Sequence, residues 1–179
     1  MPEIEIRPAI SSDIPVLMAI DHRYSSDYVW QMEFQSEESQ IQVCFRQVRL
    51  PRSVRVEYPR PVSSLSDDWT SRSGMLVAVY QGETVGYISL SLHLAPCTAW
   101  VTDLAVTRRL RRQGIGSALV LAAQEWGAQH DSRRLVLEIQ PKNYPATQMA
   151  HKLGFELCGY NDCYYANHDI ALFFGKPLR

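Results

Sequence analysis

The chain has 179 residues, 46% of them hydrophobic and 21% charged, which is long enough to bury a core without disulfide or metal staples. A net charge of −1 excludes a global field that would recruit nucleic acid or a membrane surface. No run reaches eighteen apolar residues and the N-terminus has no apolar leader segment, so a single cytoplasmic domain over 1–179 is expected.

Ile4 and Ile6 alternate with Glu3, Glu5 and Arg7, which predicts a short first strand. Ser11, Ser12 and Asp13 offer a helix cap before Ile14, Leu17, Met18 and Ala19, and Pro15 is tolerated in a first turn. From 22 to 73 the signals are strand-like. Ile41, Val43 and Phe45 alternate, then Val48 and Leu50, then Val54, Val56 and Tyr58, and the apolar face changes parity between Phe45 and Val48, where a bulge or bend is expected. Tyr24, Tyr28, Trp30 and Phe34 form an aromatic cluster around Ser25, Ser26 and Asp27. Pro51, Pro59 and Pro61 punctuate the stretch, and Ser63 to Asp68 reads as an exposed loop. Arg46, Arg49, Arg52 and Arg55 recur every third residue, a spacing that fits neither helix nor strand.

Met75 to Leu94 reads as a β-hairpin turning at Gln81-Gly82-Glu83, with Val85, Tyr87, Ser89 and Ser91 alternating against Gly86, Ile88, Leu90 and Leu92. Trp100, Thr102, Leu104 and Val106 then alternate with Val101, Asp103 and Ala105 as a further strand. Helix formers and apolar residues at three- and four-residue spacing follow in Ala118, Leu119, Leu121, Ala122, Glu125 and Trp126. Between strand and helix lie Arg108, Arg109, Arg111 and Arg112, then Gly114-Ile115-Gly116. A glycine-rich turn that opens a helix binds anions because the first N–H groups lack carbonyl partners and the helix dipole adds positive charge. Gly114 and Gly116 let a phosphate oxygen approach the backbone closely. The dinucleotide pattern G-x-G-x-x-G fails at Leu119, and no G-x-x-x-x-G-K-[ST] run exists.

Arg111-x-x-Gly114-x-Gly116 directly after a Leu104-Ala105-Val106 strand resembles the acetyl-CoA signature of the GCN5-related N-acetyltransferase (GNAT) superfamily. Downstream, Arg134 to Ile139 reads as an interior strand, parallel to the central one because a helix separates them. Pro141 to Pro145 breaks it, and Ala146 to Leu153 is a short helix stopped by Gly154. Asn143-x-x-Ala146 ending in Lys152-Leu153-Gly154-Phe155 resembles the family's second signature, in which the asparagine faces the cofactor. Tyr164-Tyr165-Ala166-Asn167 followed by Ala171 to Phe174 resembles the end of streptothricin acetyltransferases; as sequence alone, the tail is two closing strands around an Asn167-His168-Asp169 turn.

The resemblance implies an α+β fold (α/β mixed): a central, mostly antiparallel, twisted sheet of about seven strands flanked by helices and splayed at the central strand. It implies acetyl transfer from acetyl-CoA, without a metal, to a primary amine. Leu104, Ala105 and Val106 would pair with the pantetheine arm through their backbone, with a bulge falling at Asp103, and Arg111, Arg112, Gln113, Gly114, Ile115, Gly116 and Ser117 would hold the pyrophosphate on N–H groups, with Asn143 facing the cofactor. The family plan has a second helix within 22–73, where this sequence is more strand-like.

An alkyl ammonium needs a base or water chain at neutral pH, and the carboxylates on the two splayed strands are Asp103 and Glu138, with His93 and His151 as alternatives. Many members protonate the departing thiolate with a tyrosine four residues before the Gly-Phe pair, and that position here is Ala150. Either another tyrosine substitutes (Tyr144, Tyr164 or Tyr165, of which Tyr165 is carried forward) or none is needed, thiolate being a fair leaving group. Tyr24, Tyr28 and Trp30, with Asp27 and Glu33, would suit a cationic acceptor of antibiotic or polyamine type. The alternatives are acetylation of a protein N-terminus or lysine, or a catalytically inactive acyl-CoA-binding regulator. A monomer or homodimer is expected. Cys44, Cys97, Cys158 and Cys163 lack zinc spacing, while pairing of Cys158 with Cys163 stays open.

Overall fold

The computed structural model describes residues 3–178. In chain order the elements are β1 (Glu5–Pro8), α1 (Ile14–Met18), β2 (Tyr24–Ser36), β3 (Ile41–Val56), α2 (Ser64–Asp68), β4 (Gly74–Tyr80), β5 (Glu83–Ser91), β6 (Thr98–Val106), α3 (Ile115–Gln129), β7 (Arg134–Ile139), α4 (Tyr144–Lys152), β8 (Glu156–Asn161) and β9 (Ala171–Pro177). Seven strands form one sheet in the order β1-β4-β5-β6-β7-β9-β8, and β2 pairs with β3 in a separate ribbon. Within the large sheet only β6 and β7 run parallel, because α3 carries the chain back between them.

Alternation along the strands divides the core between the two faces of the sheet. Leu76 and Ala78 of β4 join Ile88, Leu90, Val101, Leu119, Leu135 and Phe155 in one cluster. Met75, Val77, Tyr87 and Ala105 point the other way and meet Ile14, Leu17 and Leu65 from the two short helices. The β4–β5 hairpin turns through Gln81 (φ 51°) and Gly82 (φ 79°), both left-handed, as a two-residue connection with this twist requires.

Three readings are corrected. Ser63 to Asp68 is not all loop, since α2 forms over Ser64–Asp68 and buries Leu65. The irregularity in β3 lies later than the parity change implied. Pairing runs unbroken from Ile41 to Arg49, and Leu50–Ser53 form the irregular step between the Tyr28–Arg49 and Ser26–Val54 pairs. That step begins after Arg49 and takes in Arg52, and all four arginines of the series are exposed. Arg46 pairs across the ribbon with Glu33 at 2.5 Å, and Arg55 reaches Asp21 at 3.5 Å. In the tail, the first closing strand is β8, and Tyr164 and Tyr165 lie in the loop after it, where both N–H groups reach Asp169 C=O. The four cysteines are exposed thiols, with no bond between Cys158 and Cys163.

Candidate active site

β6 and β7 pair only from Thr98–Arg134 to Val101–Leu137, and then part. The cause is an extra residue in β6. Against β5, Ser89 pairs with Asp103 and Leu90 with Val101, which leaves Thr102 unmatched. A bulge bends its strand, and this one turns β6 away from β7 one residue before the expected position. Beyond it, Thr107 N–H donates to Val85 C=O on the β5 side. Peptide groups alternate along a strand, so those of Leu104 and Val106 face the open side. The result is a wedge-shaped cleft of about 520 Å³, part of it open to solvent, lined among others by Tyr58, Arg60, Asp103, Leu104, Glu138, Asn143 and Tyr165.

Below the wedge, Arg112 (φ 65°) and Gly114 (φ 92°) are both left-handed. Left-handed residues alternating with right-handed ones aim successive N–H groups to one side, the general geometry of anion-binding nests. The first helical bond runs from Ala118 N–H to Gly114 C=O, so the N–H groups of Ile115, Gly116 and Ser117 precede the helical ladder. Gly116 is not left-handed, and a Cβ there would meet only Met149 Sδ at 3.4 Å. The fold itself makes little demand for glycine at that point. Arg111 differs from its neighbours in the turn. Its guanidinium donates to Val106 C=O (2.8 Å), Arg23 C=O (2.6 Å) and Asp21 C=O, and its N–H to Arg108 C=O, so it braces the turn against the loop before β2. Asn143 caps α4, accepting from Ala146 N–H at 3.2 Å, which leaves its NH₂ group as the donor toward the cleft.

The carboxylates predicted from sequence meet across the wedge, each paired with an arginine that sequence reasoning missed. Asp103 is 4% exposed and accepts from Tyr58 Oη (2.6 Å), Arg72 (2.7 Å) and Thr102 Oγ1 (3.2 Å). Burial would raise its pKa, but Arg60, Tyr58 and Arg72 outweigh burial and hold it below the ordinary carboxylate value. The Glu138 side chain is wholly buried, while its residue as a whole is half-buried, so what it exposes to the wedge is main chain. It accepts from Arg60, from Trp100 Nε1 (3.1 Å) and from Tyr164 Oη (3.0 Å). Arg60 therefore spans the split, since it also donates to Thr102 C=O at 2.8 Å and lies 5.2 Å from the centre of the Tyr165 ring. Burial, then the Glu138 charge, push the Tyr165 phenol far above its usual value, and the same causes push Tyr164 up to about 12.

Tyr24, Tyr28 and Trp30 are placed elsewhere. Tyr24 donates to Gln140 at 2.7 Å, Tyr28 packs on Tyr144 with ring centres 4.6 Å apart, and Trp30 N–H donates to Pro141 C=O at 3.0 Å. They fasten β2 over the end of β7, and none of the three is among the residues lining the cleft. His93 and His151 are exposed and outside it. Ala150 is fully buried and is not among the residues lining the cleft. The signal for Tyr58 and Arg60 was the run Tyr58-Pro59-Arg60-Pro61, where two prolines hold an extended segment. No pattern separated Arg60 from the exposed arginines just before it.

A sheet split between two parallel neighbours is thus followed along the chain by a left-handed turn whose helix-opening N–H groups precede the helical ladder. The Acetyltransferase (GNAT) family model matches residues 36–155, and the chain belongs to this family. It is an acetyltransferase. Among its relatives, a Bacillus subtilis (strain 168) protein assigned as a ribosomal protein bS18-alanine N-acetyltransferase is 28% identical over 133 residues, covering 65% of this chain and 87% of the relative. The streptothricin acetyltransferase of Streptomyces lavendulae is 25% identical over 115 residues, 62% of this chain and 60% of that one. The fold matches the crystal structure of nourseothricin acetyltransferase with TM-score 0.81, 22% identity and coverage of 98% and 99% of the two chains. It also matches a Bacillus anthracis (strain Ames) protein, assigned as a streptothricin acetyltransferase and solved with acetyl coenzyme A, with TM-score 0.75, 18% identity and the same coverage.

Proposed function

We propose that the chain transfers the acetyl group of acetyl-CoA to a primary amine of a small cationic molecule of antibiotic or polyamine type. The observation that carries this reading is the meeting of two buried carboxylates, Asp103 and Glu138, across the wedge where the thioester would lie. A cation entering the wedge finds the Asp103 carboxylate on one strand and the rings of Tyr58 and Tyr165 in its lining, while the Glu138 carboxylate is buried and paired with Arg60.

The cofactor's diphosphate rests on the N–H groups from Arg112 to Ser117, and its amide arm runs along the open N–H groups of Leu104 and Val106, the Val106 C=O being taken by Arg111. This alignment places the thioester carbonyl beside the bulge, where backbone N–H groups stabilise the oxyanion that forms on attack. Because Asp103 is held ionised at a low pKa, it attracts and orients the ammonium but keeps a proton poorly. Tyr165, whose phenol retains its proton, donates a hydrogen bond to the departing sulfur rather than a full proton.

The test is thiol release from acetyl-CoA with a panel of polyamines, aminoglycosides, streptothricin and peptide N-termini. Turnover of one of the small cations with the highest kcat/KM supports the reading. Preference for peptide N-termini transfers the assignment to the class of the Bacillus subtilis relative. Coenzyme A binding without amine-dependent thiol release assigns the chain a regulatory role.

A further inference from the structure

Beside the wedge lies a second hollow, of about 330 Å³ and partly open to solvent, where the loop before β2, the base of the β2–β3 ribbon and the turn before α3 meet. Its charged lining is Arg23, Arg55, Arg108, Arg111 and one carboxylate, Asp21. Tyr24 stands in its wall and donates to Gln140, which lines the wedge, yet no residue lines both spaces. Four guanidinium groups against one carboxylate leave a surplus of three positive charges, in a chain whose net charge is −1. The fold builds that surplus, since the four arginines come from three separate segments.

The charge is only partly answered from within. Asp21 accepts from Arg23 at 2.8 Å and lies 3.5 Å from Arg55, so one carboxylate is shared between two cations. Arg111 is held by the carbonyls of Val106, Arg23 and Asp21, which fix it in place without cancelling its charge. Three of its five N–H groups are used there, and two remain to donate. Arg109 pairs with Glu83, whereas the exposed Arg108 has no ion-pair partner among the described residues. Burial first, and the Arg108 charge with it, lower the Arg111 pKa against the opposing charge of Asp21. Like charges gathered in this way repel one another unless an anion lies between them.

We propose that this hollow is a phosphate site, separate from the N–H groups that open α3, and that its ligand is a phosphate monoester. Such a group carries about −1.5 to −2 charges at neutral pH and three strong acceptor oxygens. Guanidinium forks match those oxygens two at a time, where an ammonium acts only as a point charge. Bound there, the ester joins Arg23 and Arg55 to Arg108 and Arg111, and so ties the base of the ribbon to the turn. The monoester has two sources: the ribose phosphate of coenzyme A, or a separate phosphorylated molecule.

Inorganic phosphate is the probe, titrated at constant ionic strength into isotope-labelled wild type and an Arg55→Ala, Arg108→Ala double variant and followed by NMR. Both side chains are exposed and neither belongs to the proposed cofactor or acceptor contacts, so the double variant is expected to fold and melt as the wild type does. In the wild type the amides of Ser25, Arg55 and Arg108 shift together to saturation. In the double variant, read at Ser25, affinity falls by about tenfold or more, the worth of one lost charge-assisted hydrogen bond. The titration is repeated with coenzyme A and with 3′-dephospho-coenzyme A present. Displacement of phosphate by coenzyme A alone makes the cofactor's ribose phosphate the occupant, and phosphate bound alongside both makes it a separate ligand; either result upholds the site. Displacement by the dephospho form as well, shifts confined to Gly114–Ser117, or equal affinity in the two proteins overturns it. Equal affinity for acetate overturns the phosphate class. No acceptor amine enters these measurements, so the site and the acetyl-transfer reading fail separately.

Discussion

Gly114 and Gly116 stand two residues apart in the turn before α3, and the backbone requires glycine at only one of them. At Gly114 (φ 92°) a side chain would strain the left-handed conformation, so Gly114→Ala is expected to destabilise the free protein by about 1–2 kcal/mol. At Gly116 the backbone is ordinary and alanine is the better helix former, so Gly116→Ala is expected to melt at or above the wild-type temperature. Its added methyl group occupies the space a phosphate oxygen would use, and coenzyme A affinity is expected to fall at least tenfold. Thermal melts and calorimetric titration on the two variants check this, and undiminished affinity in Gly116→Ala would remove the diphosphate from the nest. At this scale the sequence was informative where a residue type carries its reason with it: a glycine pair opening a helix, an asparagine capping one. It was silent on Arg60 and Arg72, because an arginine buried against a carboxylate and one lying in water look alike in a string of letters.

Among the elements, β6 is the one whose local irregularity becomes function. The unmatched Thr102 ends its pairing with β7 at Val101, and from there that edge has no strand partner among the described residues. The amides of Leu104 and Val106 are therefore expected to exchange with solvent faster than those of Asp103 and Ala105 in the free protein. On saturation with acetyl-CoA the first pair should become protected and the second change little. Hydrogen exchange followed by NMR reads this residue by residue, and equal protection of all four amides without ligand would mean that the edge is closed. Existence and direction of β4 to β7 were legible, since alternation, turn residues and the intervening helix each point the same way. The β2–β3 ribbon was legible only as strand character, and the placement of its aromatics was not. Tyr24, Tyr28 and Trp30 read as an acceptor cluster, yet they serve to dock the ribbon on Gln140, Tyr144 and Pro141, contacts across more than a hundred residues.

For the molecule as a whole, acid stability turns in part on one carboxylate that ties three segments together. Asp13 accepts from Arg7 of β1 (2.7 and 2.9 Å), Ile10 N–H (2.9 Å) and Thr84 of β5 (2.8 Å), with its side chain 5% exposed. The hydrogen bonds from Arg7 first, against the opposing effect of burial, hold its pKa at about 2, down from 3.8. A carboxylate with a depressed folded pKa contributes its stability above the unfolded value and loses it as pH falls through the folded one. Asp13 thus contributes about 2 kcal/mol above pH 4, fading toward pH 2. Urea unfolding of the wild type and Asp13→Asn is expected to differ by at least this amount at pH 6, and the gap to shrink steadily between pH 4 and 2. A gap independent of pH would assign the loss to packing instead.

The sequence by itself determined the order of the central strands and helices, the glycine turn that opens α3 and the family signatures, because each depends on neighbours within a few residues. The tertiary structure alone decided that Thr102 is the bulge, that Asp103 and Glu138 face each other with Arg60 across the split, and that Arg23, Arg55, Arg108 and Arg111 line one hollow. Those facts depend on which distant segments meet and how burial and charge balance there, and chain-local spacing does not encode either.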